Sequence, residues 1–193
     1  SFQKSELFIG NENKKFTLSD QKDIHEDLLS EDVDALFFDA DADNDLDLYV
    51  VSGGNEFSET TNSLKDRLYI NDDGFFKKQK DLPQIIQNNS VVINYDYNLD
   101  GYEDLFVGGR VISNNYGKTP TSYLLLNQKN GNFKIDKIFT DLGMITDAKW
   151  EDINGDGIKD LITCGDWNNI NLFYNDGISS VSYTHLTLPT TVF

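Results

Sequence analysis

Cysteine is almost absent from this chain of 193 residues, with Cys164 its only member. A single thiol rules out a disulfide within the chain, and its place at the end of an apolar run reads as a small core residue. Histidine is nearly as scarce, with His25 and His185 alone. No zinc ligand set, no Ser, His and Asp arrangement and no phosphate-cradling glycine loop can be assembled from this stock. Basic residues are few as well: 16 Lys and Arg face 33 Asp and Glu, giving a net charge of −17 and a pI near 4.2. Such a balance argues against nucleic acid or anionic membrane partners, which need clustered cations. No apolar run is long enough to span a bilayer.

What is abundant is aspartate, and its placement is regular. One ten-residue phrase occurs three times, as DADADNDLDL from Asp39, DYNLDGYEDL from Asp96 and DINGDGIKDL from Asp152. Side-chain oxygens fall at positions one, three, five and nine: Asp39, Asp41, Asp43 and Asp47; Asp96, Asn98, Asp100 and Asp104; Asp152, Asn154, Asp156 and Asp160. Position six is Asn44, Gly101 or Gly157. These residues tolerate positive φ, so the loop can curl and turn the seventh carbonyl, of Asp45, Tyr102 or Ile158, inward.

Closing such a loop sets carboxylates against one another, each pair at about 4 Å repelling by roughly 4 kcal/mol at an effective dielectric near 20. A cation removes that cost, and an all-oxygen set with irregular spacing suits calcium better than magnesium, which demands a tight octahedron. The alternative for any one run is an acidic, solvated turn; three copies in register favour metal. An EF-hand would carry Glu at position twelve, where this chain has Val50, Val107 and Thr163. The residues after each loop, LYVV, LFVG and LITC, are strand-like, so the loops are expected between strands.

The first Asp recurs at 39, 96 and 152, intervals of 57 and 56 residues. Each copy carries a short apolar stretch before the loop, then a strand ending in glycine (Gly53, Gly108, Gly165), then a third strand ending in Asn and a turn. Units of this length with three or four short antiparallel strands must stack to bury their faces, which fits propeller blades. The expected fold is all-β: a partial propeller of about three blades and a fraction of a fourth. The expected divisions are 1–30, the end of a preceding blade; 31–86; 87–143; and 144–180, a truncated blade. Three blades cannot close a ring of the usual four to eight, so the sequence is expected to be a fragment.

The loop phrase and its stride resemble the FG-GAP or VCBS repeat family, whose calcium loops follow D-x-[DN]-x-D-G-x-x-D-[LIV], as in the integrin α-subunit propeller. Residues 6–180 are similar to that pattern throughout, and the stretches DLFVGGRVISNNYGKTPTSYLLLN and GMITDAKWEDINGDGIKDLITCGDW look like bacterial proteins that pair such repeats with an ASPIC and UnbV domain. The resemblance implies calcium, about three ions, held by the twelve side chains above and the carbonyls of Asp45, Tyr102 and Ile158. Asn44 departs from the family's glycine.

Residues 181–193 break every upstream pattern. VSYTHLTLPT back-translates into the end of a transposase sequencing adapter, so this tail is expected to be non-native and His185 without a role.

The expected function is a non-enzymatic calcium-binding scaffold for recognition or adhesion, with an extracellular protein or glycan as partner, outside the cell, on its surface or in the periplasm. Calcium loops of extracellular modules have dissociation constants near 10⁻⁴ to 10⁻³ M, which cytosolic calcium would leave empty. The long connection from Arg110 to Thr121 is expected to present Tyr116 and Arg110 on one face. The aromatic residues Trp150, Trp167, Phe37 and Phe106 are expected to pack between blades. Two alternatives stand beside this reading: a propeller enzyme acting on polysaccharide with Glu103 or Glu151 as acid or base, and a purely structural spacer.

Overall fold

The computed structural model describes residues 4–54, residues 61–177 and the backbone of Ser182–His185. Strands β1 (Leu7–Gly10) and β2 (Phe16–Ser19) form a hairpin, followed by a short helix α1 (Lys22–Glu26). Then come three four-stranded antiparallel meanders. The first contains β3 (Glu31–Phe38), β4 (Asp47–Gly53), β5 (Arg67–Asp72) and β6 (Phe75–Lys78). The second contains β7 (Asn88–Tyr95), β8 (Asp104–Val111), β9 (Ser122–Asn127) and β10 (Phe133–Phe139). The third contains β11 (Met144–Glu151), β12 (Asp160–Asp166), β13 (Asn171–Tyr174) and β14 (Ser182–His185).

Alternation along each strand decides what packs where, because successive side chains leave opposite faces. In β8, Leu105 and Val107 join Phe38, Tyr49, Val51, Leu68 and Leu125 in the core between the first two sheets. Phe106, one residue along, turns to the other side and meets Ile145, Trp150, Leu161 and Phe173 in the core between the second and third. Strand β8 is therefore buried on both faces, which explains the apolar run near its start.

The first strand of each sheet is the one nearest its neighbours, and each carries a bulge. The register shifts at Val33, Ser90 and Thr146, the stride of the acidic loops. A bulge re-aims the following side chain. Asp34, just past the first bulge, accepts the Val92 amide of β7 at 2.9 Å, and Ser90, at the second, donates to the Ile145 carbonyl of β11 at 2.7 Å. Glycine appears where these strands approach most closely: a Cβ on Gly108 would lie 2.7 Å from both Ile145 Cγ2 and Val91 Cγ1.

Two features depart from the sequence reading. Helix α1 was not expected; it docks beside the outer strand β6, where Gln21 and Asp23 accept the amides of Phe76 and Lys78 at 3.0 and 2.8 Å and Ile24 joins a small apolar cluster with Leu48, Val50, Tyr69 and Phe76. The helix region thereby covers part of an open sheet edge. The third sheet also runs past the expected limit at residue 180, because Ser182–His185 pairs with β13 through Asn171↔His185 to Tyr174↔Ser182. Backbone pairing of this kind requires extended conformation and no particular side chains. The rest of the expected non-native tail lies outside the described residues.

Candidate metal centre

Each acidic phrase forms the connection between the first and second strands of its sheet: 39–46 joins β3 to β4, 96–103 joins β7 to β8, and 152–159 joins β11 to β12. The first Asp organises the loop by accepting backbone amides. Asp39 takes those of Ala42 at 2.7 Å and Asn44 at 3.0 Å; Asp96 takes Asp100 at 3.0 Å and Gly101 at 2.8 Å; Asp152 takes Gly155 at 2.7 Å and Gly157 at 2.9 Å. The fifth-position carboxylates Asp43, Asp100 and Asp156 each accept the amide two residues on, at 2.8–3.1 Å. Asn98 and Asn154 accept the amides of Asp100 and Asp156 in the same way.

Position six is left-handed in all three copies, with φ of 72° at Asn44, 91° at Gly101 and 88° at Gly157, as the residue types required. Position four is left-handed as well: Ala42 at 65°, Leu99 at 59° and Gly155 at 80°. That second twist escaped the sequence, because Ala and Leu do not advertise it. Together the two reversals wrap each loop, and in the first copy the side chains at positions one, three and five converge.

In the first loop the convergence is direct: oxygens of Asp39, Asp41 and Asp43 lie within 4.8 Å of one another. Asp41 and Asp45 are both raised above the usual carboxylate range, by burial first and then by neighbouring acidic groups, with Asp43 the nearest contributor. Asp41 Oδ1 and Asp45 Oδ1 are buried without a hydrogen-bond donor among the described residues. Buried carboxylate oxygens in that state fit a cation, and the donor set is all oxygen. The Asp45 side chain therefore lies among the loop's acidic groups, which the sequence pattern did not register. In the second loop Lys129 places its ammonium 3.6 Å from Asp100 and over the Tyr102 ring.

The ninth-position residues do a different job. Asp47, Asp104 and Asp160 are essentially inaccessible to solvent. Asp47 accepts the Ala40 and Asn71 amides at 2.7 and 2.8 Å, Asp160 those of Ile153 and Asn175 at 3.2 and 2.9 Å, and Asp104 that of Asn127 at 2.8 Å. Each carboxylate thus ties its loop to the third strand of its sheet. Burial pushes Asp47 up to about 6 and Asp104 up to about 7, although these amide bonds pull the other way. Asp104 Oδ2 is left without a donor among the described residues.

Asn71, Asn127 and Asn175, read from sequence only as turn residues, emerge as clasps. The Asn127 amide nitrogen donates to Glu103 O at 3.1 Å within its own sheet and to Ala40 O at 2.8 Å in the preceding loop. Asn175 repeats this with Lys159 O at 3.3 Å and Tyr97 O at 2.9 Å. One buried amide therefore locks two successive acidic loops together. The signal was present as an Asn ending the third strand of every unit.

Glu103 and Glu151 belong to different sheets, and Glu151 forms a surface ion pair with Lys149 at 2.8 Å that lowers its pKa. Tyr116 and Arg110 are placed on the opposite end of the sheets, with Tyr116 exposed. Trp150 and Phe106 are core residues, as expected. Trp167 and Phe37 are not: they are 80% and 45% exposed.

A comparison with curated proteins finds no match. The FG-GAP-like repeat model begins at the first Asp of the second loop and extends through the third: residues 96–163 match it, so this stretch is similar to an FG-GAP-like repeat.

Proposed function

We propose that the three loops each hold a calcium ion and that the sheets are blades of a propeller serving as a non-enzymatic recognition scaffold outside the cell or in the periplasm, with a protein or glycan as partner. One observation carries the metal reading: three carboxylates of the first loop converge within 4.8 Å, while buried oxygens of Asp41 and Asp45 lack donors among the described residues. The ligands would be Asp39, Asp41, Asp43, Asp45 and Asp47; Asp96, Asn98, Asp100, Tyr102 and Asp104; and Asp152, Asn154, Asp156, Ile158 and Asp160, with Tyr102 and Ile158 contributing carbonyls. Calcium would neutralise the converging charge and fix loops already joined by Asn127 and Asn175.

Calorimetric titration with calcium should give three sites per chain, with magnesium much weaker. Asp100→Ala should reduce the stoichiometry to two. Absence of calcium uptake, or an unchanged count in the variant, overturns the assignment.

A further inference from the structure

The end of the sheets opposite the acidic loops carries an arrangement that calcium does not use. Trp167, in the turn between β12 and β13, exposes 80% of its surface and sits in left-handed backbone at φ 55°. A bulky residue held there is strained, and such strain clusters at ligand sites. The ring is nevertheless fixed: Tyr116, from the long connection after β8, meets it edge to face with centroids 5.4 Å apart and planes at 82°. Gly117 supports it from below, since a Cβ there would come within 2.9 Å of Trp167 Cζ3.

Polar groups adjoin the rings. Tyr116 Oη lies 3.5 Å from Asp166 Oδ2, and that oxygen accepts Arg110 Nη2 at 2.7 Å. Arg110 Nη1 is buried with no hydrogen-bond partner among the described residues. Arg110 also lines a cleft of about 440 Å³ with Glu31, Asn88, Asn89 and Ser90. Arg110 thus links the ring platform and its ion pair, on the second and third sheets, to a cleft between the first and second.

From this arrangement we infer a binding site for a neutral oligosaccharide, with one sugar ring stacked on Trp167 and its hydroxyls on Arg110 and Asp166, and a neighbouring sugar in the cleft. The inference rests on the recognition part of the function proposed above and names its ligand class. A pyranose offers an apolar C–H face and a rim of hydroxyls, which the aromatic face and the adjoining charged pair match. The charge argues for a neutral ligand: Asp166 balances Arg110, Glu31 lines the cleft, and the chain carries −17. Two rings are too small a patch for a protein partner, which buries about 800 Å² per side. Rings already ordered lose little freedom when a ligand stacks on them.

The test uses the full chain in saturating calcium with cellohexaose, xylohexaose, mannohexaose and chitohexaose as probes, and heparin and a proline-rich peptide as competitors of other chemistry. Binding of at least one neutral probe should shift the emission of exposed Trp167 while buried Trp150 stays silent. Trp167→Ala and Tyr116→Ala should each weaken binding, measured by calorimetry, about tenfold or more with the melting temperature little changed. No response to any neutral probe, equal affinity in Trp167→Ala, or saturation by heparin or peptide alone overturns the inference. Repeating the titration after chelation separates the two readings: saccharide binding without calcium uptake fells only the metal assignment, and three calcium sites without saccharide binding fell only this one.

Discussion

At the scale of single residues, two buried polar groups set the molecule's sensitivities. Asp66 accepts the Ser52 amide, the Tyr49 hydroxyl at 3.2 Å and the Asn89 side chain at 2.8 Å, joining the first sheet to the second. Burial raises its pKa from 3.8 to about 7, against the pull of these donors and of Arg67. The folded protein therefore keeps a proton that the unfolded chain releases between about pH 4 and 7. Stability from this group is fully present below pH 4 and is lost as pH rises through 7. Asp66→Asn should flatten that part of the profile relative to the parent, with the two curves diverging by about 1–2 kcal/mol across the window. Chemical denaturation in EDTA at a series of pH values measures it, and parallel profiles would refute the role.

The second group is the Asn127 amide. Asn127→Ala strips two carbonyls of a donor and should cost about 2 kcal/mol, lowering the melting temperature by about 4–8 °C. Because Ala40 follows Asp39, the same change should weaken calcium at the first loop as well as the second. A melting curve and a titration that both match the parent would show that the clasp is idle.

At the scale of elements, close packing of neighbouring sheets is the constraint. Gly74 lies in a turn at φ 88° with nothing within 4 Å of an added Cβ, whereas Gly108 meets Ile145 and Val91 at 2.7 Å. Gly74→Ala should cost about 1 kcal/mol for its backbone alone. Gly108→Ala should cost about 2–3 kcal/mol, because the third sheet must move off the second. Urea denaturation of the pair decides it, and a reversed order would mean that the sheets accommodate the methyl freely.

Elements were legible in the sequence where a physical rule leaves one outcome. Oxygens at fixed spacing, glycine or Asn at position six and apolar residues on either side placed all three loops between first and second strands. The short helix α1 left no such trace, since five residues with one buried side chain, Ile24, carry no period. Asn71, Asn127 and Asn175 were hidden by their ordinary use in turns, where the residue type is common for other reasons. Trp167 was misplaced because large aromatic residues usually seek the core; its exposure follows from a tertiary contact with Tyr116 across 51 residues that local pattern cannot encode.

At the scale of the whole molecule, charge ties the proposed calcium binding to salt. Three calcium ions carry six positive charges and would bring −17 to −11. In their absence the carboxylates of each loop repel one another over a few ångströms. Raising salt from 0.1 to 1 M shortens the Debye length from about 10 to about 3 Å, comparable with their separation, so repulsion inside an open loop is screened. Melting in EDTA should therefore rise with sodium chloride. With calcium at tenfold its dissociation constant, each site contributes about 1.4 kcal/mol and three about 4 kcal/mol, which for a chain of this size raises melting by about 8–16 °C. The calcium-bound protein, its loops already neutralised, should respond less to salt, so the two melting curves should converge as salt rises. Calorimetric scans with calcium or EDTA at low and high salt check both the gap and the convergence. A gap near zero would remove calcium from the molecule's stability, and a gap that salt leaves unchanged would mean that loop repulsion is not what the ion relieves.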